Sequence, residues 1–299
     1  MSLRMLKTVP VSAQFLVCGI QFRKRETGEE FLQLDVADYS GNATLRWWRD
    51  WAADYFPHTG DVLEGIVTPR HLDGRLWLDA DWLDSIGDEQ VHWGGPAFLA
   101  RTDVPRVAHP ALEKLVAMFN GIKHEALRLF LGRVFTDPPI GSRYVRSRAS
   151  AHHHHAHPGG LLVHSVGVAS RCLACSTDME RSLSEVVLAA ALLHDIGKIE
   201  TVGEGPKRPA LAPWVHHEAL TLEILSPHLR QLDVEWPHGA ALLRHCLTWY
   251  STKPAGYAAF VGADLLRSMD GLDVGMERGK GDGAVRFDAF RRPMQRSVG

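Results

Sequence analysis

The segment Leu192-Leu193-His194-Asp195-Ile196-Gly197-Lys198 carries the strongest chemical signal in this chain. An apolar run that ends on adjacent His and Asp buries two polar side chains, which costs free energy unless a partner compensates. Imidazole nitrogen and carboxylate oxygen together suit a divalent ion such as Zn, Mn or Fe. His164 lies about thirty residues upstream, and His217, His245 and Asp264 follow downstream, each in a stretch with helical periodicity. Helices that each contribute one or two inward ligands are a recurrent way to build a metal site in a bundle.

The ligand types set the expected chemistry. His164, His194, Asp195 and Asp264 can hold one ion with positions left open. The second oxygen of Asp195 can bridge to another ion held by His217 and His245, with His216 as the alternative to His217. Two ions about 3.5–4 Å apart would clamp an in-line phosphoryl displacement. Catalytic roles then fall to Asp195 and to Lys198, which is near enough in sequence to reach a phosphate oxygen. Lys198 also reads as a helix-end cation favoured by the dipole. A lone His on an apolar helix is usually a core or surface residue, so the combination carries the reading and no single residue does. The run His152–His157 is expected to line the mouth of the site, with His154 and His155 placed to bind phosphate. Cys172-x-x-Cys175, a single pair, reads as small core residues.

The elements that position these residues fall into two regions. Residues 1–95 read as β, with strands at 14–20, 31–36, 43–48, 62–69 and 75–79 and a short helix at 51–56 between the third and fourth. Asp73-Gly74 is a hairpin signal. That order is the order of an OB-fold barrel. Residues 96–111, which follow Gly94-Gly95 and carry Pro96, Pro105 and Pro110, read as a linker; 112–285 read as a helical domain and 286–299 as a tail, with the chain expected to loosen from Gly271. Asp137-Pro138-Pro139 breaks a helix, and the polar loop expected after it carries Arg143, Arg146 and Arg148 as a basic route for substrate. The fold class is therefore multidomain α+β, an OB-like barrel followed by an all-α domain.

Composition narrows the class. The 299 residues are 45% hydrophobic and 23% charged, as in a globular protein with a sizeable core. There is no run of 18 apolar residues and no signal-peptide pattern, so neither a membrane span nor secretion is expected. Four cysteines in a chain of this length do not make a disulfide framework, which points to the cytoplasm. The net charge of −2, with more acid than base in residues 1–100, means that nucleic-acid binding would have to come from local patches and aromatics such as Phe31, Trp47, Trp48 and Trp77. The same aromatics would suit a homo-oligomer.

The stretch His153-His154-His155-Ala156-His157-Pro158-Gly159-Gly160-Leu161-Leu162-Val163-His164-Ser165, followed by Leu193-His194-Asp195-Ile196-Gly197-Lys198, resembles the YhaM-type 3′→5′ exoribonucleases of the HD-domain superfamily. That family also places an OB-type domain ahead of its HD domain. The resemblance implies manganese-dependent phosphodiester hydrolysis from a single-stranded 3′ end, with His164, His194, Asp195, His217, His245 and Asp264 as ligands. One or two ions are implied, Mn first, with Fe, Ni, Mg or Zn as alternatives. The chain departs from many binuclear HD enzymes in having His245-Cys246 where they have paired histidines. The triple His before Gly-Gly is also similar to the HD domain of a conjugative relaxase family, which implies DNA nicking by a mobile element. Hydrolysis of small nucleotides is a third reading. A nucleic-acid-binding protein with a degenerate HD site is the non-enzymatic one.

Overall fold

The structure, a computed structural model, describes residues 2–6, 9–48, 56–72, 74–249 and 258–281. The helix expected at 51–56 falls outside these residues except for Phe56, and so do Asp73 of the hairpin and the tail 286–299.

Five strands form a closed barrel: β1 (Val11–Lys24), β2 (Glu30–Ala37), β3 (Asn42–Trp47), β4 (Val62–Leu72) and β5 (Arg75–Ser85). The neighbours run β1-β2-β3-β5-β4, with β4 returning to β1, and only the β3–β5 pair is parallel. This is an OB-like barrel. Alternation builds it: Ala13, Phe15 and Val17 point inward from β1, Leu32, Leu34 and Val36 from β2, and Ala43, Leu45 and Trp47 from β3. A register shift between Val17 and Gly19 lets the long β1 bend and pair with both β2 and β4.

The residues expected as a linker, 96–111, are packed. They form short 3-10 turns, Gly95–Phe98, Arg101–Asp103 and Arg106–Ala108, and Leu99, Val104, Ala108 and Ala111 enter the helical core. Prolines suit such turns because they fix φ and need no donor. The barrel is tied to this segment by Tyr39 N–H donating to the Ala97 carbonyl (3.0 Å) and Arg101 N–H to that of Asp38 (3.0 Å).

The helices are α1 (Asp88–Gly94), α2 (His109–Gly121), α3 (Glu125–Thr136), α4 (Pro138–Arg146), α5 (Gly160–Cys175), α6 (Arg181–Leu193), α7 (Lys198–Thr201), α8 (His217–Glu235), α9 (Pro237–Trp249) and α10 (Val261–Gly281). Pro138 stops α3 and opens α4, so the segment of Arg143 and Arg146 is a helix and not a loop. The chain does not loosen at Gly271 either, since α10 continues to Gly281. Cys172 is buried in the core and Cys175 is exposed, both as free thiols. No helix among the described residues is long and apolar enough to cross a membrane.

Candidate metal centre

Four side chains from three places in the helical region converge. His164 comes from the second turn of α5, His194 and Asp195 follow the last residue of α6, and Asp270 comes from the middle of α10. His164 Nε2 lies 3.3 Å from Asp195 Oδ2 and 3.0 Å from Asp270 Oδ1, while His194 Nε2 lies 3.5 Å and 3.7 Å from the same atoms. Ligands of a single ion with bonds of about 2.1 Å stand about 3.0–3.4 Å apart, so the cluster has the dimensions of a coordination shell.

The imidazoles are set for that role by their other nitrogen. His194 Nδ1 is 2.9 Å from the Ala191 carbonyl and His164 Nδ1 is 2.8 Å from Asp273 Oδ2. With an ion bound, both would keep the proton on Nδ1 and turn the Nε2 lone pair into the cluster. Both Nε2 atoms are buried and neither has a hydrogen-bond partner. Two buried, orphaned imidazole nitrogens facing two carboxylates fit a divalent cation.

Local sequence explains the placement. The carbonyl of Leu192, at the end of α6, accepts a hydrogen bond from the buried Tyr144 hydroxyl (2.8 Å). Gly197 has an ordinary right-handed φ of −58°, so its role is close approach. A Cβ there would meet the His217 carbonyl at 1.9 Å. This contact brings the start of α8 against the His-Asp pair, where Thr221 Oγ1 accepts the Gly197 N–H (3.1 Å). Gly160 does the same at the start of α5: a Cβ would lie 1.9 Å from the His155 carbonyl.

Electrostatics follow from burial. Burial lowers the pKa of His164, but the carboxylates of Asp195, Asp270 and Asp273 outweigh it and raise the group from 6.5 to about 11. Burial raises Asp195, and Lys198 and His194 overcome it, holding the carboxyl well below its ordinary range. Asp270 and Asp273 are also depressed: burial opposes this, and the close imidazoles of His164 and His194 beside Asp270, and of His155 and His164 beside Asp273, prevail. His154 goes the other way. Burial, then Lys198 and His164, lower it to about 4, so it stands 5.5 Å from the His164 ring as a neutral imidazole with a buried, unpartnered Nδ1.

The other expected residues divide. Lys198 Nζ pairs with Asp195 Oδ2, and His217 Nε2 lies 3.0 Å from Asp195 Oδ1, while His216 is an exposed cap at the start of α8. His245 packs on Trp249 at 5.3 Å between ring centroids, with its Nε2 buried and unpartnered. Asp264 is not in the cluster. Its carboxylate accepts from Trp249 Nε1 (2.9 Å) and from Ala258 N–H (2.8 Å), one and a half turns before Asp270. His155 is not at the mouth. It is buried with φ of 47° and donates to Asp273 Oδ2 (3.1 Å), supporting the carboxylate that orients His164.

The basic route is also corrected. Arg143 pairs with Glu200, Arg146 with Glu204 (3.0 Å), and Arg148 donates to the carbonyls of Val202 and Gly205. These arginines hold the segment after α7 and neutralise its acids. The residues that sequence reading missed are Asp270 and Asp273. Their signal was the buried stripe Ala263, Leu266, Asp270, Asp273 on one helical face.

Residues 161–270 match the family model of the HD domain, from the first turn of α5 to Asp270. The barrel region is similar to the solution NMR structure of the second OB-fold domain of replication protein A from Methanococcus maripaludis. That likeness has 17% identity and a TM-score of 0.25, and covers 29% of this chain and 95% of the other. No curated protein matches the sequence.

Proposed function

We propose that this protein is a metal-dependent phosphodiesterase acting on single-stranded nucleic acid, a 3′→5′ exonuclease with RNA as its first substrate. The observation that carries the reading is the pair of orphaned Nε2 atoms of His164 and His194 facing Asp195 and Asp270, inside a segment that matches the HD domain. HD domains are metal-dependent phosphohydrolases, and the OB-like barrel in the same chain favours a polymer over a free nucleotide.

When bound, a divalent ion, Mn by our reading, supplies Lewis-acid polarisation of a phosphoryl oxygen and a more acidic water. The chain's own residues do the rest. Asp273 and the Ala191 carbonyl fix the tautomers of the two ligating imidazoles. Lys198, which touches Asp195, and neutral His154 border the reacting centre, where one offers a cation and the other an uncharged donor or acceptor to a phosphoryl oxygen. His217, beside the second oxygen of Asp195, is the residue that would hold a second ion. On the barrel, Arg25 lies over Trp48 (4.0 Å), which packs on Phe31 (4.4 Å), and Arg46 lies over Trp77 (5.2 Å). Arg25 is also paired with Glu29 (3.3 Å) and Arg46 with Asp79 (2.8 Å), so these pairs offer a single strand stacking faces more than free charge.

The test is incubation of the pure protein with end-labelled single-stranded RNA and DNA in Mn, Mg or chelator, with Asp195→Ala and Asp270→Ala controls. A metal-dependent ladder from the 3′ end, lost in both variants, is expected. Hydrolysis of mononucleotides with no polymer cleavage would replace this reading by a nucleotide phosphohydrolase.

A further inference from the structure

A second polar site adjoins the metal centre. A cavity of about 470 Å³ lies between residues 148–152 and the segment 201–217, within the size range of about 300–1,000 Å³ that small-molecule sites occupy. It shares His217 with the centre, since His217 both lines the cavity and touches Asp195. Its lining residues include Arg148, His152, Arg208, His216 and His217 and no carboxylate. Of the acids nearest in sequence, Glu200 and Glu204 are already paired with Arg143 and Arg146, and Glu218 lies 3.4 Å from His217 Nδ1. Arg208 uses Nη2 to hold the Ala212 carbonyl (3.0 Å), which closes the turn that carries Trp214. Trp214 is 83% exposed, an unusual position for the largest apolar side chain.

We propose that this cavity and Trp214 form the subsite for the nucleotide that flanks the scissile phosphate. Its phosphate lies among Arg208, His152 and His216, and a base stacks on Trp214. The proposal rests on the phosphodiesterase reading and deepens it. It also transfers substrate contact from Arg143 and Arg146 to the segment that they hold in place, while Arg148 stays in the cavity wall. A recess lined by Arg148, Arg208 and histidines, with the exposed Trp214 in the chain between its lining residues Ala212 and Val215, matches an anionic backbone and a flat base, the two features that single strands offer without sequence preference.

The experiment uses Mn-loaded full-length protein and a fluorescein-labelled single-stranded phosphorothioate octanucleotide, with binding followed by anisotropy. Arg208→Glu and Trp214→Ala are each expected to weaken binding by about tenfold or more with metal content unchanged. Arg208→Glu should also flatten the dependence of affinity on salt by about one phosphate contact. Trp214 is solvent-exposed, so its replacement leaves the fold intact and keeps the test decisive if Arg208→Glu folds poorly. Affinities within about twofold of wild type for both variants, in a wild type that cleaves the unmodified octanucleotide, overturn the subsite alone. A wild type that neither binds nor cleaves the octanucleotide overturns the phosphodiesterase reading beneath it.

Discussion

The barrel and the centre of the helical region bury opposite kinds of side chain. Phe15, Leu34 and Leu45 fill the barrel, where removal from water is itself favourable. Where α5, α6 and α10 meet, the apolar core also takes in His164, Asp195, Asp270 and Asp273, whose desolvation is costly. The first region is arranged for packing. The second is held by counter-charges, with Lys198 on Asp195 and Arg171 on Asp273 (2.6 Å), around a point suited to a cation. Such a centre contributes chemistry at the expense of stability, so changes in the two regions should separate the two properties.

The sharpest separation is expected at Asp270. Asp270→Asn should lower metal-dependent turnover by at least about a thousandfold, some 4 kcal/mol of barrier, with little change in the melting temperature of the metal-free protein. A parallel loss of stability and activity would make the cluster a structural element and break the comparison. Leu45→Ala should do the reverse. It leaves a hole in a fully buried position and should cost about 2–5 kcal/mol in denaturant unfolding, while the folded fraction takes up metal as before. Loss of metal uptake in that variant would mean that the two regions fold and function as one.

The same contrast explains what could be read in advance. The barrel was legible because one face is buried, so alternation wrote its strands into the sequence at Phe15–Val17 and Leu32–Val36. His164, His194 and Asp195 were legible because polar residues in an apolar run stand out. Asp270 and Asp273 did not stand out. Gly271 and the charges after it made the second half of α10, with Asp273, look like a loose tail, and Asp264, which follows Ala263 in an apolar stretch, looked like the buried carboxylate in place of Asp270. Extending the helical period from Ala263 and Leu266 would have placed Asp270 and Asp273 inside and Asp264 off the stripe. The arginines of α4 were read by charge alone, and sequence gave no sign that Glu200 and Glu204 would neutralise them.

Asp273 allows a finer cut within the centre, because it touches no expected ion and acts only through His164. Asp273→Asn should lower metal affinity by about 10–100-fold, measured by calorimetric titration with Mn. Unchanged affinity would leave Asp273 as a mere partner of His155 and Arg171. Protonation of the His164 imidazole sets a pH dependence. The pKa of His164 is raised from 6.5 to about 11, so the stabilisation its imidazolium contributes is complete below 6.5 and is lost as pH rises through 11. An ion needs the neutral ring and must displace that proton. Apparent metal affinity should therefore rise by about tenfold per pH unit between pH 6.5 and 9, and the thermal shift on adding metal should grow in step. A shift that is flat with pH would show that His164 carries no proton in the metal-free state.

The smallest effect is expected at Asp264, the carboxylate on α10 that serves packing. It accepts the indole N–H of Trp249 and the backbone N–H of Ala258, joining the end of α9 to the start of α10. Asp264→Ala leaves two donors without their acceptor in a half-buried place, a loss of about 1–2 kcal/mol on thermal unfolding. Turnover and metal content should stay within about twofold of wild type, because Asp270 and not Asp264 lies beside the Nε2 atoms of His164 and His194. Comparing Asp264→Ala with Asp270→Asn sets two carboxylates of one helix, six residues apart, against each other. If Asp264→Ala loses its metal, then α10 sits on the centre with the other face, and the stripe from Ala263 to Asp273 is not the face that carries the chemistry.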